Sequence, residues 1–189
     1  MIELRFHSRG GQGGVVAGKL LAIAVFKEGK FVQTFPTFGV ERRGAPVMTY
    51  VRISDKPIRL RNQVYAPDHL VVLDASLIQY YDVVQGLKEG GIILVNTEKE
   101  IGEFKFPSQY RAVTVNAARI AIEHGLGSIT QPIVNTAVLG ALARVTGLVR
   151  IESLVAAIKE DSPVKQEANA AAAIQAYEEV GLALEASPV

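Results

Sequence analysis

Cysteine is absent from all 189 residues. That excludes disulfides, thiolate zinc sites, cysteine nucleophiles and any iron–sulfur cluster held by the chain's own thiolates. With no redox centre of its own, the chain can at most be part of a redox machine. An excess of one charge is lacking too: 20 Lys and Arg stand against 19 Asp and Glu, a formal net charge of +1. A protein held to nucleic acid by bulk charge is far more basic, so no nucleic-acid partner is expected. Long apolar runs are missing as well. Gly18 with Lys19, and later Asn135 and Arg144, interrupt the best candidates for a bilayer span, and no membrane association is expected. The opening Met1-Ile2-Glu3-Leu4-Arg5 reads as a strand without the basic and apolar regions of a signal peptide, which predicts a cytoplasmic protein.

What is present is a globular composition: 49% hydrophobic, 21% charged, with 17 Gly and 8 Pro. Disorder, collagen and low complexity are excluded by it. The length suits a single domain over 1–189. A mean hydropathy of +0.21 without a membrane segment points to apolar surface covered by other subunits.

Ile2 to Phe6 alternates like a strand, His7 to Gly14 is a glycine-rich turn, and Val15 to Lys27 reads as an apolar helix with Gly29 at its end. Phe31 to Phe35 is a second strand. Strand, glycine turn, helix, strand is the opening of a βαβ unit and predicts two parallel strands joined by a right-handed crossover. Val47 to Ile53 and Pro57 to Leu60 bracket Ser54-Asp55-Lys56 as a β-hairpin. Leu70 to Leu73 and Ile92 to Val95 are continuous apolar runs typical of buried parallel strands. Ala75 to Gln85 between them reads as helical, and Ala112 to Val115 as a last strand. From Asn116 onward four helices are expected, over Asn116–His124, Ile133–Thr146, Ile151–Lys159 and Val164–Val180. The fold class is α/β: a single Rossmann-like domain, a mostly parallel sheet with a β-hairpin insertion, and a helical carboxyl-terminal third.

Glycines between a strand and a helix let the backbone approach a ligand with its amides outward, a setting for an anion and most often a phosphate. Gly13, Gly18 and Lys19 have the P-loop spacing, but Leu20 follows where a Mg²⁺-binding hydroxyl is needed, and Lys19 falls inside the helix. A nucleoside-triphosphatase is rejected. Gly11 and Gly13 match the dinucleotide pattern, but Val16 stands at its third glycine and no acid ends the second strand at Phe35, which disfavours a nicotinamide or flavin dinucleotide. A phosphate-bearing ligand without those requirements remains, and so does a turn that merely lets the helix pack close to the sheet.

Arg42 and Arg43, in Glu41-Arg42-Arg43-Gly44, follow the second strand. In a doubly wound sheet that loop shares a crevice with the glycine turn, where two arginines suit a polyphosphate or a partner's carboxylates. A solvated cluster around Glu41 is the plainer alternative. His7, His69 and His124 lie in separate segments and suggest no metal site. His7 is in reach of the turn or is simply a strand-end residue, and Asp74 reads as a helix N-cap.

Several blocks resemble the gamma subunit of 2-oxoacid:ferredoxin oxidoreductases. They are Ile2 to Gly14 with the following helix, Gly29 to Pro36, Phe38 to Pro46 with its E-R-R-G-A-P core, Val51 to Asp55, and Asn135 to Leu142. Within that family the likeness is nearer to the pyruvate and branched-chain oxoacid types than to the 2-oxoglutarate or indolepyruvate types.

The resemblance implies a reaction in which 2-oxoacid, coenzyme A and oxidised ferredoxin give acyl-coenzyme A, CO₂ and reduced ferredoxin. It implies thiamine diphosphate, Mg²⁺ and [4Fe–4S] clusters on alpha, beta and delta partner subunits, in keeping with the missing cysteines. A gamma-type chain would help bind coenzyme A and close the active site. Gly11, Gln12, Gly13 and Gly14 would present amides to coenzyme A phosphates, with Arg42 and Arg43 adding charge. Asn135 and Thr136, at a helix start, would contact the same region or a neighbouring subunit, or cap the helix. No catalytic residue is assigned. An assembly subunit without a ligand, or a stand-alone Rossmann-like nucleotide-binding oxidoreductase, are the alternatives.

Overall fold

The computed structural model describes residues 1–37 and 44–186. In chain order the elements are β1 (Ile2–Arg9), α1 (Gly14–Lys27), β2 (Phe31–Pro36), β3 (Pro46–Ser54), β4 (His69–Val72), α2 (Leu77–Tyr80), β5 (Ile92–Asn96) and β6 (Arg111–Val115). These are followed by α3 (Ala117–Glu123), the small hairpin β7 (Gly127–Ser128) and β8 (Gln131–Pro132), then α4 (Asn135–Thr146), α5 (Ile151–Asp161) and α6 (Gln166–Ala186). Six strands form one sheet in the order β2-β3-β1-β4-β5-β6. β1, β4, β5 and β6 are parallel neighbours, and β3 runs antiparallel to both β1 and β2.

β4 and β5 are apolar throughout because both faces of the sheet are covered. Leu70, Val72, Ile93 and Val95 meet Phe104, Phe106 and Tyr110 on one face. On the other face Val71 and Leu94 join the larger core with Leu4, Phe6 and the helices. α4 is buried along nearly its whole length. None of the described helices is long and apolar enough to cross a membrane.

The mixed α/β class, the mostly parallel sheet and the helical final third match the expectation from sequence. Three local features differ. β1 and β2 run in the same direction, but β3 lies between them, because eight of its nine residues pair with β1 residue for residue from Ile2↔Ile53 to Arg9↔Pro46. The hairpin is therefore β2–β3, and residues 57–60 form no strand. Gln33 and Arg52 instead hold that segment by its carbonyls, donating to Leu60 O at 2.9 Å and Gln63 O at 3.2 Å. The helix expected over 75–85 shrinks to the single turn of α2. The carbonyls of Val83 and Gln85 accept from the guanidinium of Arg5 (2.9 and 2.7 Å) rather than from helical amides.

Candidate functional site

β1, β4 and β5 end at one edge of the sheet, and the glycine loop leaves β1 there to enter α1. Two backbone bonds tie this loop to the residues leading into β3. The Gly10 amide donates to Ala45 O at 2.8 Å, and the Gly44 amide donates to Gly10 O at 3.0 Å. Arg9 Nη1 adds a bond to Gly44 O at 3.1 Å. Gly44 and Ala45 are thus fastened to the glycine loop. Arg42 and Arg43 themselves lie outside the described residues.

Asp74, just past β4, organises the loop from below. Its Oδ2 accepts from Arg9 Nε and Gln12 Nε2, both at 3.0 Å, and its Oδ1 accepts from the Ser76 amide and hydroxyl at 2.9 and 2.6 Å. Burial pushes the Asp74 carboxyl upward, but the bonds from Ser76 and Gln12 and the charge of Arg9 outweigh it and hold it below the ordinary range. Asp74 is not an N-cap, since Ser76 holds that position in α2. It fixes a turn and anchors two side chains from β1 and its loop.

Gly11 and Gly13 adopt positive φ, 97° and 79°, which L side chains rarely do. Gly13 is the N-cap of α1 and brings no side chain to it. Helix geometry leaves the amides of Gly14, Val15 and Val16 without intrahelical acceptors, the arrangement that favours an anion. Gln12 behaves differently from its neighbours. Its amide donates to Arg9 O at 3.1 Å and its Oε1 accepts from the Arg9 amide at 2.7 Å, so its role is to lock the loop. Gly14 is buried, and a Cβ on it would clash with Ser8 Oγ. A Cβ on Gly13 would stand 2.6 Å from Asn135 Nδ2.

The loop is a wall between two cavities of about 250 Å³ each. One, at the sheet edge, is lined by Arg9, Gly11, Gln12, Gly44, Asn96 and Gln131 among others. Asn96 Nδ2 donates to Leu73 O at 2.9 Å, while its buried Oδ1 has no partner among the described residues. The other cavity lies toward the helices, between Gly11, Gly13, Asn135, Ser162, Lys165 and Asn169. Asn135 is the first residue of α4 after the N-cap Val134, and its Oδ1 accepts from the Thr136 amide at 2.9 Å. Thr136 Oγ1 donates to Asn169 Oδ1, also at 2.9 Å, which fastens α4 to α6.

The structure therefore gathers Gly11, Gln12, Gly13, Gly14 and Asn135 around one loop. His7 is elsewhere: it points to the sheet face away from α1 and bonds Arg5 (3.0 Å). Lys19 sits on the outer side of α1, its side chain 62% exposed, consistent with the rejection of a P-loop. The sequence reading missed Arg9 and Asn96. Only their positions at the carboxyl ends of predicted parallel strands signalled them.

A family model described as pyruvate ferredoxin/flavodoxin oxidoreductase matches residues 3–179. The pyruvate/ketoisovalerate oxidoreductases common subunit gamma of Thermococcus kodakarensis is 54% identical over 181 residues, covering 94% of this chain and 96% of that one. The pyruvate synthase subunit PorC of Methanothermobacter thermautotrophicus is 52% identical over 181 residues, covering 95% and 96%. Among solved structures, the pyruvate oxidoreductase subunit PORC of Thermotoga maritima superposes with a TM-score of 0.79 at 36% identity, covering 94% of this chain and 95% of that one. The near full-length family match, the gamma-subunit relative at 54% identity and the PORC structure agree on one assignment: the chain belongs to the pyruvate ferredoxin/flavodoxin oxidoreductase family, as one of its gamma subunits.

Proposed function

We propose that this chain is the gamma subunit of a pyruvate or branched-chain 2-oxoacid:ferredoxin oxidoreductase and that its glycine loop holds the phosphates of coenzyme A. The observation that supports the reading is the pair of bonds between Gly10 and residues 44–45, which ties the backbone immediately after Arg43 in sequence to the glycine loop ahead of α1, a helix start with no side-chain cap. The amides of Gly11, Gly13 and Gly14 and the start of α1 offer hydrogen-bond donors, while Arg42 and Arg43 supply the bidentate positive charge that a diphosphate takes. No ribose-binding acid or Mg²⁺-binding hydroxyl is needed for that ligand. Thiamine diphosphate, Mg²⁺ and [4Fe–4S] clusters, on alpha, beta and delta subunits in this reading, supply decarboxylation and electron transfer to ferredoxin. This chain's residues bind and orient the thiol reactant and keep water from the closed site.

A second reading, an assembly subunit without a ligand, is favoured by the tight packing at the same glycines. Gly13 lies against Asn135, Gly14 against Ser8, and Gly18 against Thr34 and Thr49, where a Cβ would stand 2.7 and 2.8 Å from side-chain atoms. Packing alone accounts for glycine at those three positions. Arg42→Gln with Arg43→Gln in the intact complex separates the readings. A coenzyme A role raises KM for coenzyme A about ten-fold or more with assembly intact. A purely structural role leaves that KM unchanged or loses the complex on size-exclusion chromatography.

A further inference from the structure

On the sheet face away from α1, β1 and β3 bury two guanidinium groups, and among the described residues only that of Arg52 is in an ion pair. Arg52 is fully buried and donates from Nε to Glu3 Oε1 at 2.8 Å. Arg5, 7% exposed, has no carboxylate within 4.0 Å among the described residues. Its Nη2 is used by the carbonyls of Val83 and Gln85, and its Nε by His7 Nε2 at 3.0 Å. Nη1 has no partner among the described residues.

Arg5 lines a cavity of about 490 Å³ whose floor offers donors. His7 is two residues along β1, and since its Nε2 accepts from Arg5, its proton is on Nδ1, which has no acceptor among the described residues. Burial first, and then the Arg5 charge, keep this imidazole neutral with a pKa of about 3. Tyr50 is the cross-strand partner of Arg5, and among the described residues its hydroxyl reaches only Met48 Sδ, at 3.9 Å. The walls are apolar, built from Val47, Met48, Val64 and Leu77. Tyr65 and Tyr81 stand half or more exposed at the mouth, beside the exposed Asp82.

Asp82, exposed on the same cavity, attracts Arg5 only from beyond ion-pair distance. A buried cation so weakly compensated is costly, and an anion in direct contact with it relieves that cost. The floor carries a single positive charge, which matches a monoanion better than a phosphate dianion, and the walls suit an apolar body. We propose that this cavity is a binding site for a small organic carboxylate with an apolar body, whose carboxylate meets Arg5 Nη1, His7 Nδ1–H and the Tyr50 hydroxyl. The site lies on the opposite face from α1 and stands independently of the coenzyme A reading.

The test titrates the full-length chain with phenylacetate, isovalerate and hexanoate and with their uncharged amides, by ligand-observed NMR. Saturable binding of at least one acid is expected, about ten-fold or more tighter than its amide. Tyr50→Phe should weaken the acid several-fold, about as expected for one bond to a charged group, and leave the amide nearly unchanged. Met48→Trp, which fills the cavity from a half-buried wall, should abolish both, with melting curves confirming that it folds. Equal affinity for acid and amide, no saturable binding by any acid, or unaltered binding in both variants overturns the proposal. Binding retained by the assembled complex supports it. Binding that the isolated chain shows and assembly abolishes assigns the cavity to a partner's side chain and overturns it.

Discussion

Gly140 of α4 lies against the backbone of Ala173 in α6, so closely that a Cβ at Gly140 would stand within 3.0 Å of the Ala173 carbonyl oxygen, carbonyl carbon and Cα. No flexible side chain is there to yield, so one helix would have to shift. Gly140→Ala is expected to destabilise the fold by roughly 3 kcal/mol or more, despite the higher helix propensity of alanine. Urea denaturation of the variant measures this, and a stability equal to or above that of the parent would refute the close approach.

Gly14 offers a cleaner version of the same experiment, because its obstacle is a side chain. Its Cβ would meet Ser8 Oγ and stand 2.9 Å from Ser8 Cβ. Gly14→Ala should lose roughly 1–3 kcal/mol, and Ser8→Gly in the same chain should restore part of that loss. A double-mutant cycle without coupling between the two positions would show that the contact does not limit how α1 sits on the sheet.

The buried His7 makes stability depend on pH in a defined direction. Its pKa falls from 6.5 to about 3 on folding, chiefly through burial and further through Arg5. Above 6.5 the imidazole is neutral in both states and its contribution is fully present. Between 6.5 and about 3 the unfolded chain takes up a proton that the folded chain does not, so stability falls as pH falls, by up to about 1.4 kcal/mol per unit. Below that window the group adds no further slope. His69, also lowered chiefly by burial, acts with the same sign. His7→Gln should flatten the dependence by one proton's share, read from denaturation at a pH above 6.5 and another about two units lower.

Asp74→Asn should loosen the glycine loop without touching the core. The variant keeps the shape of the side chain but loses the charge that faces Arg9 at 3.0 Å and sets an amide against Gln12 Nε2. A loss of about 1–2 kcal/mol is expected, together with faster hydrogen exchange at Gly10 and Gln12. Because the carboxyl is held below its ordinary range in the folded chain, its contribution is complete above that range and fades as pH falls through the folded-state value. Parent and variant should therefore converge in stability toward strong acid. If they stay equally far apart, the charge is not what stabilises the loop.

Breaking the Arg52–Glu3 pair should be the most damaging single charge change. Arg52 is fully buried and also donates to Gln33 Oε1 at 3.1 Å. Glu3→Gln strands its guanidinium in the sheet and should cost about 3–5 kcal/mol. Arg52→Met, which removes the cation along with its partner's need, should cost less if desolvation dominates. Melting temperatures of the two variants rank these effects.

β4 and β5 were legible because Leu70–Leu73 and Ile92–Val95 are apolar on both faces, which few other settings permit. α4 and α6 were legible from helical periodicity, though not Gly140, whose reason lies in a helix thirty residues later. The strand order was not. Nothing within Pro46–Ser54 says that it pairs with β1 as well as with β2, since the β1 pairing depends on register with a strand that ends 37 residues earlier, at Arg9 opposite Pro46. The glycine loop announced itself by composition and by its position before a helix. The Arg9–Asp74–Gln12 network did not, because the partners are 62 and 65 residues apart and each is an ordinary polar residue in its own segment.

The place of β3 between β1 and β2 also has a meaning in time. The two neighbours of β1 come from residues 46–54 and 69–72, so β1 is synthesised well before either of its partners. β2 and β3 pair across a short connection and can zip early, whereas docking β1 needs far longer loop closures. During that interval β1 exposes two open ladders of backbone donors and acceptors, the template on which copies of an unfinished chain pair with each other. Pulse-labelled hydrogen exchange during refolding would register this sequence of events as protection of the β2–β3 ladder ahead of the β1–β3 ladder. The centre of the finished sheet is thus its last seam to close, and crowding of nascent chains acts on the molecule there.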